Sequence, residues 1–513
     1  MGRGYWGFLC DVDILRCSRR VNEETKILQY KLNKDYLTID DVIRYGGIGK
    51  IYLVIGKDPT IKYWLCKNKD GNVLVPADKE PYYSEISHRL LIIGNGFDLH
   101  CGANSTYNAF FDEQFGISLA YKIRELYSKN TTNNKVKIEK EFIDNAKDVF
   151  NTYYCKIKIP DIKEIFYYIE LEFLAQCKSE LLSEINKLNK EQKIEAATIL
   201  KQINEKIVWL QGSYSKWNIV FFLAKLFYLE QDDVNWSDVE KMIFYVINWL
   251  ITGKHKRKNK KFDKLLKKLF ENEEDLSHNL LLELEIFENE FAIFIQRQET
   301  YKYYKNAKSS IESFVQNTEN LRVILDVFDF NYSLNQYDAN DFLGLNSKII
   351  LHSWTNIHGI ADYKKSFNQK NDVNIPAPIF GIDLHEILDK SNNLYKDPRL
   401  KFTKSYRLST NHVNNIRTKD LQEKIDIITI VGHSLDKADY SYFESFFDKY
   451  DLYNSDIVLE CYYAEDFDRE EDYTRQVDAL LTDYGNTLKN VHGENIFNKL
   501  MLEQRLKIIP YSS

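Results

Sequence analysis

Helix breakers are scarce in the middle of this chain. Proline occurs at positions 59, 76, 81 and 160 and not again until 376. From Glu113 to Asn320 the only glycines are Gly116, Gly212 and Gly253. So few turn residues exclude frequent chain reversals and predict almost continuous helix there. Cysteine pairs are missing too. The seven cysteines, at 10, 17, 66, 101, 155, 177 and 461, contain no C-x-x-C, which excludes a zinc ribbon. An odd, scattered set reads as reduced, buried thiols in an intracellular protein.

Other absences narrow the class further. No H-E-x-x-H or other compact ligand cluster occurs, so no metal is expected. The most apolar stretches, 217–229 and 242–251, fall short of the ~20 residues that span a bilayer. The first residues lack the apolar core of a secretion signal, and Trp6 stands where an acylation signal needs Ser or Thr. A cytoplasmic protein without a membrane partner is expected. The net charge of −7 is too small and of the wrong sign for a surface that grips nucleic acid throughout.

What is present is an ordinary globular mixture, 44% hydrophobic and 28% charged. With 35 Tyr and 30 Phe, the chain has large side chains to fill extensive cores. A length of 513 residues suggests about three domains. In the breaker-poor segment, Ile165, Ile169, Phe173, Cys177, Leu181, Ile185 and Leu188 advance by three or four and form one apolar stripe. Leu284, Phe287, Phe291 and Phe294 predict a second long helix over 280–296. The flanks differ. Short, continuously apolar runs at 90–93, 322–330, 348–351, 379–380, 425–431 and 456–463 suit strands of a sheet covered on both faces. Helical segments between several of them favour parallel pairing. The expected fold class is therefore α/β. A parallel-sheet domain of residues 88–112 and 321–513 is interrupted by a large all-helical insertion at 113–320. Residues 1–87 form a small N-terminal domain with a β-hairpin at 62–76, where Asp70-Gly71 supplies the turn.

Ligands of open α/β sheets bind beyond the carboxyl ends of the strands. The first run is followed by Gly94-Asn95-Gly96-Phe97-Asp98. These glycines read either as a backbone cradle for a phosphate or as a tight strand-to-helix turn with Asp98 in the first helical turn. Asn331 follows the second run, as a turn cap or as a site residue. His358-Gly359 follows the third run, and His358 is either a satisfied structural histidine or a catalytic one; His492-Gly493 repeats the dipeptide. Gly381 follows the fourth run, and Gly432-His433-Ser434-Leu435-Asp436 the fifth. Ser434 and Asp436 are candidate ribose or phosphate contacts. Each feature is bland alone, yet five successive strand ends carry small or polar residues suited to one nucleotide-like ligand.

The string LLIIGNGFDLHCGANSTYNAFF, Leu90 to Phe111, resembles the opening motif of bacteriophage abortive-infection proteins of the AbiH family. The match continues in order through FNYS (330–333), IHG (357–359), IFGI (379–382) and VGHSLDKAD (431–439), covering about the α/β portion. More distantly, the order resembles the Rossmann-like, sirtuin-like NAD-consuming domains of phage defence. That resemblance implies an antiviral defence protein that binds and hydrolyses NAD, as a glycohydrolase without a metal. It places the dinucleotide on Gly94, Asn95, Gly96 and Asp98, with Gly381 and Gly432, Ser434 and Asp436 closing the ribose site. His358 and Asn331 take the catalytic roles. The Gly-Asn-Gly-Phe-Asp turn departs from the sirtuin-like Gly-Ala-Gly pattern by adding bulk and a carboxylate. An unperturbed histidine, with a pKa near ~6.5, suits general-base work. Asn331 orients ribose or water, and Asp98 or Asp436 stabilises the developing cation.

Two motifs lead elsewhere. Gly46-Gly47-Ile48-Gly49-Lys50 is not a phosphate loop, since Arg44 replaces the first glycine and Ile51 follows the lysine. The stretch from Lys254 to Lys268 carries nine Lys/Arg against one Asp. It is either a solvated helix end or a contact for an anionic partner such as nucleic acid. The alternative function is thus a non-enzymatic, nucleotide-binding sensor or toxin that acts on nucleic acid or a phage protein. A phage-derived trigger and a homo-oligomer are the other expected partners. Charge reversal across 256–261 is expected to alter partner binding while leaving nucleotide affinity intact. A titration in which nucleotide affinity collapses with it contradicts that division of labour.

Overall fold

A computed structural model describes residues 4–6, 53–55, 63–68 and 71–76 of the N-terminal part. Beyond these it describes 86–127, 132–156, 162–210, 215–228, 236–253, 259–271, 273–315, 322–335, 338–339, 343, 348–362, 377–387, 396–410, 420–435, 437–465, 469–489 and 492–512. Two sheets are present among these residues. A small antiparallel one joins β1 (Gly4–Trp6), β2 (Leu53–Ile55), β3 (Tyr63–Asn68) and β4 (Gly71–Pro76). In it Asn68 pairs with Gly71, and the linking residues 69–70 lie outside the described residues.

The second sheet has six parallel strands. They are β5 (Ile86–Ile93), β6 (Arg322–Asp329), β7 (Ile349–Asn356), β8 (Ile427–Val431), β9 (Val458–Ala464) and β10 (Leu506–Tyr511). Their spatial order is β10-β9-β8-β5-β6-β7. The chain therefore moves outward in one direction for three strands, returns to the centre, and moves outward in the other. This is the order of a Rossmann-like, doubly wound sheet, with the reversal between β5 and β8.

Burial on both faces explains the uninterrupted apolar runs. Leu90, Leu91, Ile92 and Ile93 are all fully buried, yet they belong to two cores. Leu90 and Ile92 meet Phe443, Phe447, Leu481 and Ile496 on one face. Leu91 and Ile93 meet Tyr303, Ala307, Ile311 and Phe314 on the other. Alternate side chains point to opposite faces, so both sets are apolar over 90–93; polar residues sit nearer the start of the strand, where buried Arg89 pairs with Glu460 of β9 at 3.0 Å. The first face is covered by α13 (Tyr440–Lys449), α14 (Glu470–Thr487) and α15 (Ile496–Leu502). The second is covered by α11 (Tyr301–Val315).

Between β5 and β6 the chain is helical, as the shortage of breakers predicts. After α1 (Asn95–His100) come α2 (Tyr107–Gln114), α3 (Ile117–Tyr127), α4 (Thr132–Lys156), α5 (Ile162–Glu184), α6 (Lys190–Leu210) and α7 (Lys216–Phe227). Then follow α8 (Trp236–Thr252), α9 (Lys260–Leu269), α10 (Leu276–Gln298) and α11. Ile165, Ile169, Cys177 and Leu181 are buried on α5, and Leu284, Phe287, Phe291 and Phe294 on α10. The α5 stripe stops at Glu184, where a short 3₁₀ turn at Ile185–Lys187 takes over. Phe222 sits at the centre of a third core, its ring 4.4 Å from Phe166, 4.8 Å from Phe115 and 5.7 Å from Phe142.

Two strand expectations change. Ile379-Phe380 is not in the sheet; Phe380 packs into the helical core against Phe291 and Phe287, at 5.0 and 5.4 Å. A two-residue run is too short to declare its partner. The edge strand β10 carries half-exposed positions and Pro510, and so lacks the continuous apolar signature. Among the described residues no helix is long and apolar enough to cross a membrane.

Replacing Phe222 by alanine is expected to cost about 3–5 kcal/mol, the usual range for emptying a fully buried aromatic site. Denaturant unfolding measures it, and a loss under about 1 kcal/mol contradicts this account of the helical core.

Candidate functional site at the strand ends

The turn after β5 meets the loop after β8 where the strand order reverses. The Gly94 N–H donates to the Val431 carbonyl at 3.0 Å, and the Gly96 N–H to the Gly432 carbonyl at 2.7 Å. Gly432 adopts φ +64°, and a Cβ there would stand 2.1 Å from the Phe97 nitrogen. Only glycine permits that approach. The glycines of the first turn thus serve loop-to-loop contact: a Cβ on Gly94 would meet Gly432 and His433, and one on Gly96 would meet Gly432. The Phe97 N–H bonds the Gly94 carbonyl at 2.9 Å, and Asn95 accepts from Ser105 at 2.6 Å.

Asp98 and Asn331 come together, in a buried network. Asp98 Oδ1 accepts from the Tyr303 hydroxyl at 2.7 Å and from Asn331 Nδ2 at 3.2 Å. Its Oδ2 accepts from Ser333 at 2.7 Å. Burial raises the Asp98 carboxyl to about 6, against the lowering effect of the Tyr303 and Ser333 hydrogen bonds. Asn331 also donates to the Gly94 carbonyl at 2.9 Å, which ties the β6 end to the β5 turn. Its backbone N–H is held by Asp329, whose carboxyl burial pushes far above the ordinary range.

A second constellation gathers beside the first. His358, after β7, is 3% exposed and lies among aromatic rings: Phe330 at 5.4 Å, Tyr442 at 5.7 Å and Tyr332 at 6.3 Å. Its Nε2 is 3.5 Å from Asp439 Oδ1 and makes no hydrogen bond. His433 stands on the other side of Phe330, 4.5 Å between rings. The Leu435 N–H donates to His433 Nδ1 at 3.0 Å, so a neutral His433 carries its proton on Nε2, 3.4 Å from Asp439 Oδ2. Lys404, at the start of α12 (Lys404–Thr410), reaches Asp439 Oδ1 at 2.6 Å and Glu240 Oε1 of α8 at 2.8 Å.

The charges of this group settle into complementary states. Burial opposes the charge of Lys404, but Asp439 and Glu240 outweigh it and hold the ammonium firmly protonated. Burial likewise opposes the Asp439 carboxylate, yet Lys404 and then His433 and His358 keep it ionised far below the usual range. Glu240 is pushed up to about 8 by burial, despite Lys404, and is mostly protonated at neutral pH. His358 is lowered to about 3, first by burial and then by Lys404. The result is one cation and one anion, with neutral His358 and the His433 ring on the anion. Asp439 keeps 15% of its side chain exposed against 2% for Lys404, so the group is open on the Asp439 side.

Gly381 lies against this group as well. A Cβ there would come within 2.6 Å of the Phe402 carbonyl and 3.2 Å of Lys404 Cγ, so the bare backbone leaves room for the lysine stem. Ser434 is exposed on the β8 loop, and Asp436 lies outside the described residues. The helix α9 portion of the basic stretch turns Phe262, Leu265 and Leu266 inward, with Lys260, Lys264 and Lys267 exposed; 254–258 lie outside the described residues. Among the described residues no group of His, Cys, Asp or Glu is arranged to hold a metal ion.

Sequence reasoning assigned no role to His433, Asp439, Lys404 or Glu240. The first two lie inside the string VGHSLDKAD, where the signal was available. Lys404 and Glu240 gave none, since a lysine beginning a short helix and a glutamate on an amphipathic one look solvated. Comparison of the chain with protein-family models finds no match, and comparison with curated proteins finds none either.

The depressed His358 pKa has a consequence for stability. In the unfolded chain the ring titrates near 6.5, in the folded protein near 3. Between those values the unfolded state binds the extra proton, so the contribution of neutral His358 is complete above pH 6.5 and is lost as pH falls toward 3. The wild type is expected to lose up to about 1.4 kcal/mol per pH unit more than His358→Gln across this window. Urea unfolding of both proteins at pH 6 and pH 5 measures the difference, and parallel losses contradict it.

Proposed function

We propose that the protein is an antiviral defence protein of the abortive-infection kind that binds NAD, or a related nucleotide, at the strand ends and hydrolyses it. One observation carries the reading. At the reversal point of a Rossmann-ordered sheet, the β5 turn, the β8 loop and the His358 turn converge around an ionised, partly exposed carboxylate. Dinucleotides occupy that point in doubly wound sheets. The likeness of the strand-end strings to AbiH proteins supports the defence role. In this reading the domain is sirtuin-like and the helical block α2–α11 is an insertion after its first βα unit.

The roles are as follows. Gly94, Asn95, Gly96, Gly381 and Gly432 shape the floor, and Ser434 and Asp436 contact the ribose from the β8 loop. The bond from ribose C1′ to the nicotinamide nitrogen breaks, and its electron pair leaves with nicotinamide. Asp439 faces the cationic sugar, a role that Asp98 is too enclosed to take. Water adds to C1′, and neutral His358 receives its proton and passes it to solvent. Asn331 acts at one remove, by fixing the β5 turn. No metal enters this chemistry.

Two observations favour a second reading, in which a nucleotide is bound as a signal without turnover. The first-turn N–H groups of Gly94, Gly96 and Phe97 are spent inside the protein, and a base near 3 is weak.

Nicotinamide release from NAD by the purified full chain separates the two. Hydrolysis predicts turnover that falls by about 10²–10⁴-fold in His358→Ala, the usual scale for a proton-transfer group. The exposed His492→Ala serves as the matched control and is expected to be silent. Equal rates in the two variants remove His358 from the mechanism; binding without release establishes the signal-binding reading.

A further inference from the structure

The lysine at the heart of the cluster has no place in the chemistry above, yet its placement is costly. Lys404 is 2% exposed, and an ammonium removed from water is tolerated only with close partners. Its Nζ lies between Asp439 Oδ1 at 2.6 Å and Glu240 Oε1 at 2.8 Å. Its backbone N–H bonds the Ile382 carbonyl at 3.0 Å, so the stem starts from a fixed point beside Gly381. The same Oδ1 that Lys404 grips is the one 3.5 Å from His358, which leaves Oδ2 for His433 at 3.4 Å. One turn along α12, Arg407 is clamped by Glu288 of α10 and donates to the Phe380 carbonyl at 2.7 Å. Both cations of this short helix therefore contact glutamates of the helical block.

We infer that Lys404 is a positioning residue: it fixes the Asp439 carboxylate between the two imidazoles and makes that arrangement depend on the docking of helix α8 through Glu240. The chain of contacts runs Glu240–Lys404–Asp439–His433/His358 and crosses from the helical block to two strand ends. Without the ammonium, only the two imidazoles at 3.4 and 3.5 Å hold Asp439 inward, and its side chain is already partly exposed. The nearby carboxylates of Glu386 and Asp383 carry the wrong sign to replace it, and Lys241 acts on Glu386 rather than on Asp439. The inference rests on the proposed function only in treating His358 as part of the working centre; the geometry stands without NAD.

Histidine ring NMR of the full chain tests it independently of any activity. Signals are assigned by His358→Gln and His433→Gln. In the wild type, His358 is expected to remain neutral at pH 5 and His433 to keep its Nε2 proton. In Lys404→Met, the His358 midpoint is expected to rise by about one pH unit or more as a nearby cation is lost. Lys404→Arg, which keeps the charge, should restore much of the original behaviour. Unchanged titration and tautomer in a folded Lys404→Met protein overturn the inference. If that variant does not fold, Asp439→Asn decides, because it keeps the shape and removes the carboxylate that Lys404 positions. A shifted His433 Nε2 signal then supports the inference, and an unmoved one overturns it. If NMR agrees while NAD is not cleaved, the positioning role stands and the hydrolytic reading fails.

Discussion

Parallel pairing with helices on both faces leaves a sheet only its ends for contact with a ligand. In this protein the constraint is severe, because alternate residues of β5 are buried in two different cores. The polar side chains gathered at the strand ends come mainly from turns, loops and elements that dock from outside. The carboxyl ends of β5, β6, β7 and β8 supply Asp98, Asn331, His358 and His433 in this way. The reversal between β5 and β8 brings two of these turns into backbone contact, and glycine at 432 makes the contact possible.

Around that junction, electrostatics divide the labour. Asp98 is saturated by three side-chain donors and acts as an internal anchor for the β5 turn. Asp439 is different: one buried cation keeps it ionised, two imidazoles flank it, and its side chain is partly exposed. The two carboxylates thus acquire opposite characters from their surroundings, which is the pattern by which sites assign acid, base and electrostatic roles. The helical block joins in this, since Glu240 and Glu288 reach across to Lys404 and Arg407. It is more than a recognition appendage.

The sequence carried the sheet core and the helical block clearly. Leu90–Ile93 is continuously apolar and 323–328 nearly so, broken by buried Asp326, because both faces are buried, and the α5 and α10 stripes follow helical spacing. β10 was hidden because an edge strand needs no such run, and Ile379-Phe380 misled because a short apolar pair fits a helical core as well as a sheet. Within the site, glycine–polar strings marked the strand ends, and Asn331 does meet Asp98. The meaning of the glycines was not legible: the same Gly-Asn-Gly serves loop-to-loop packing as well as phosphate contact. Nor was the state of His358, which depends on rings and a lysine distant in the chain. Lys404 and Glu240 were invisible because burial of a charge is a tertiary event, absent from local composition.

The central claim is that a nucleotide occupies the junction of the β5 turn and the β8 loop beside His358 and Asp439. Hydrogen exchange of the full chain, with and without NAD, addresses it most directly. The account predicts slowed exchange confined to amides near 94–98, 357–359 and 432–441, with the outer ends of the helical block unchanged. Slowed exchange centred elsewhere, or none at saturating NAD, would contradict it.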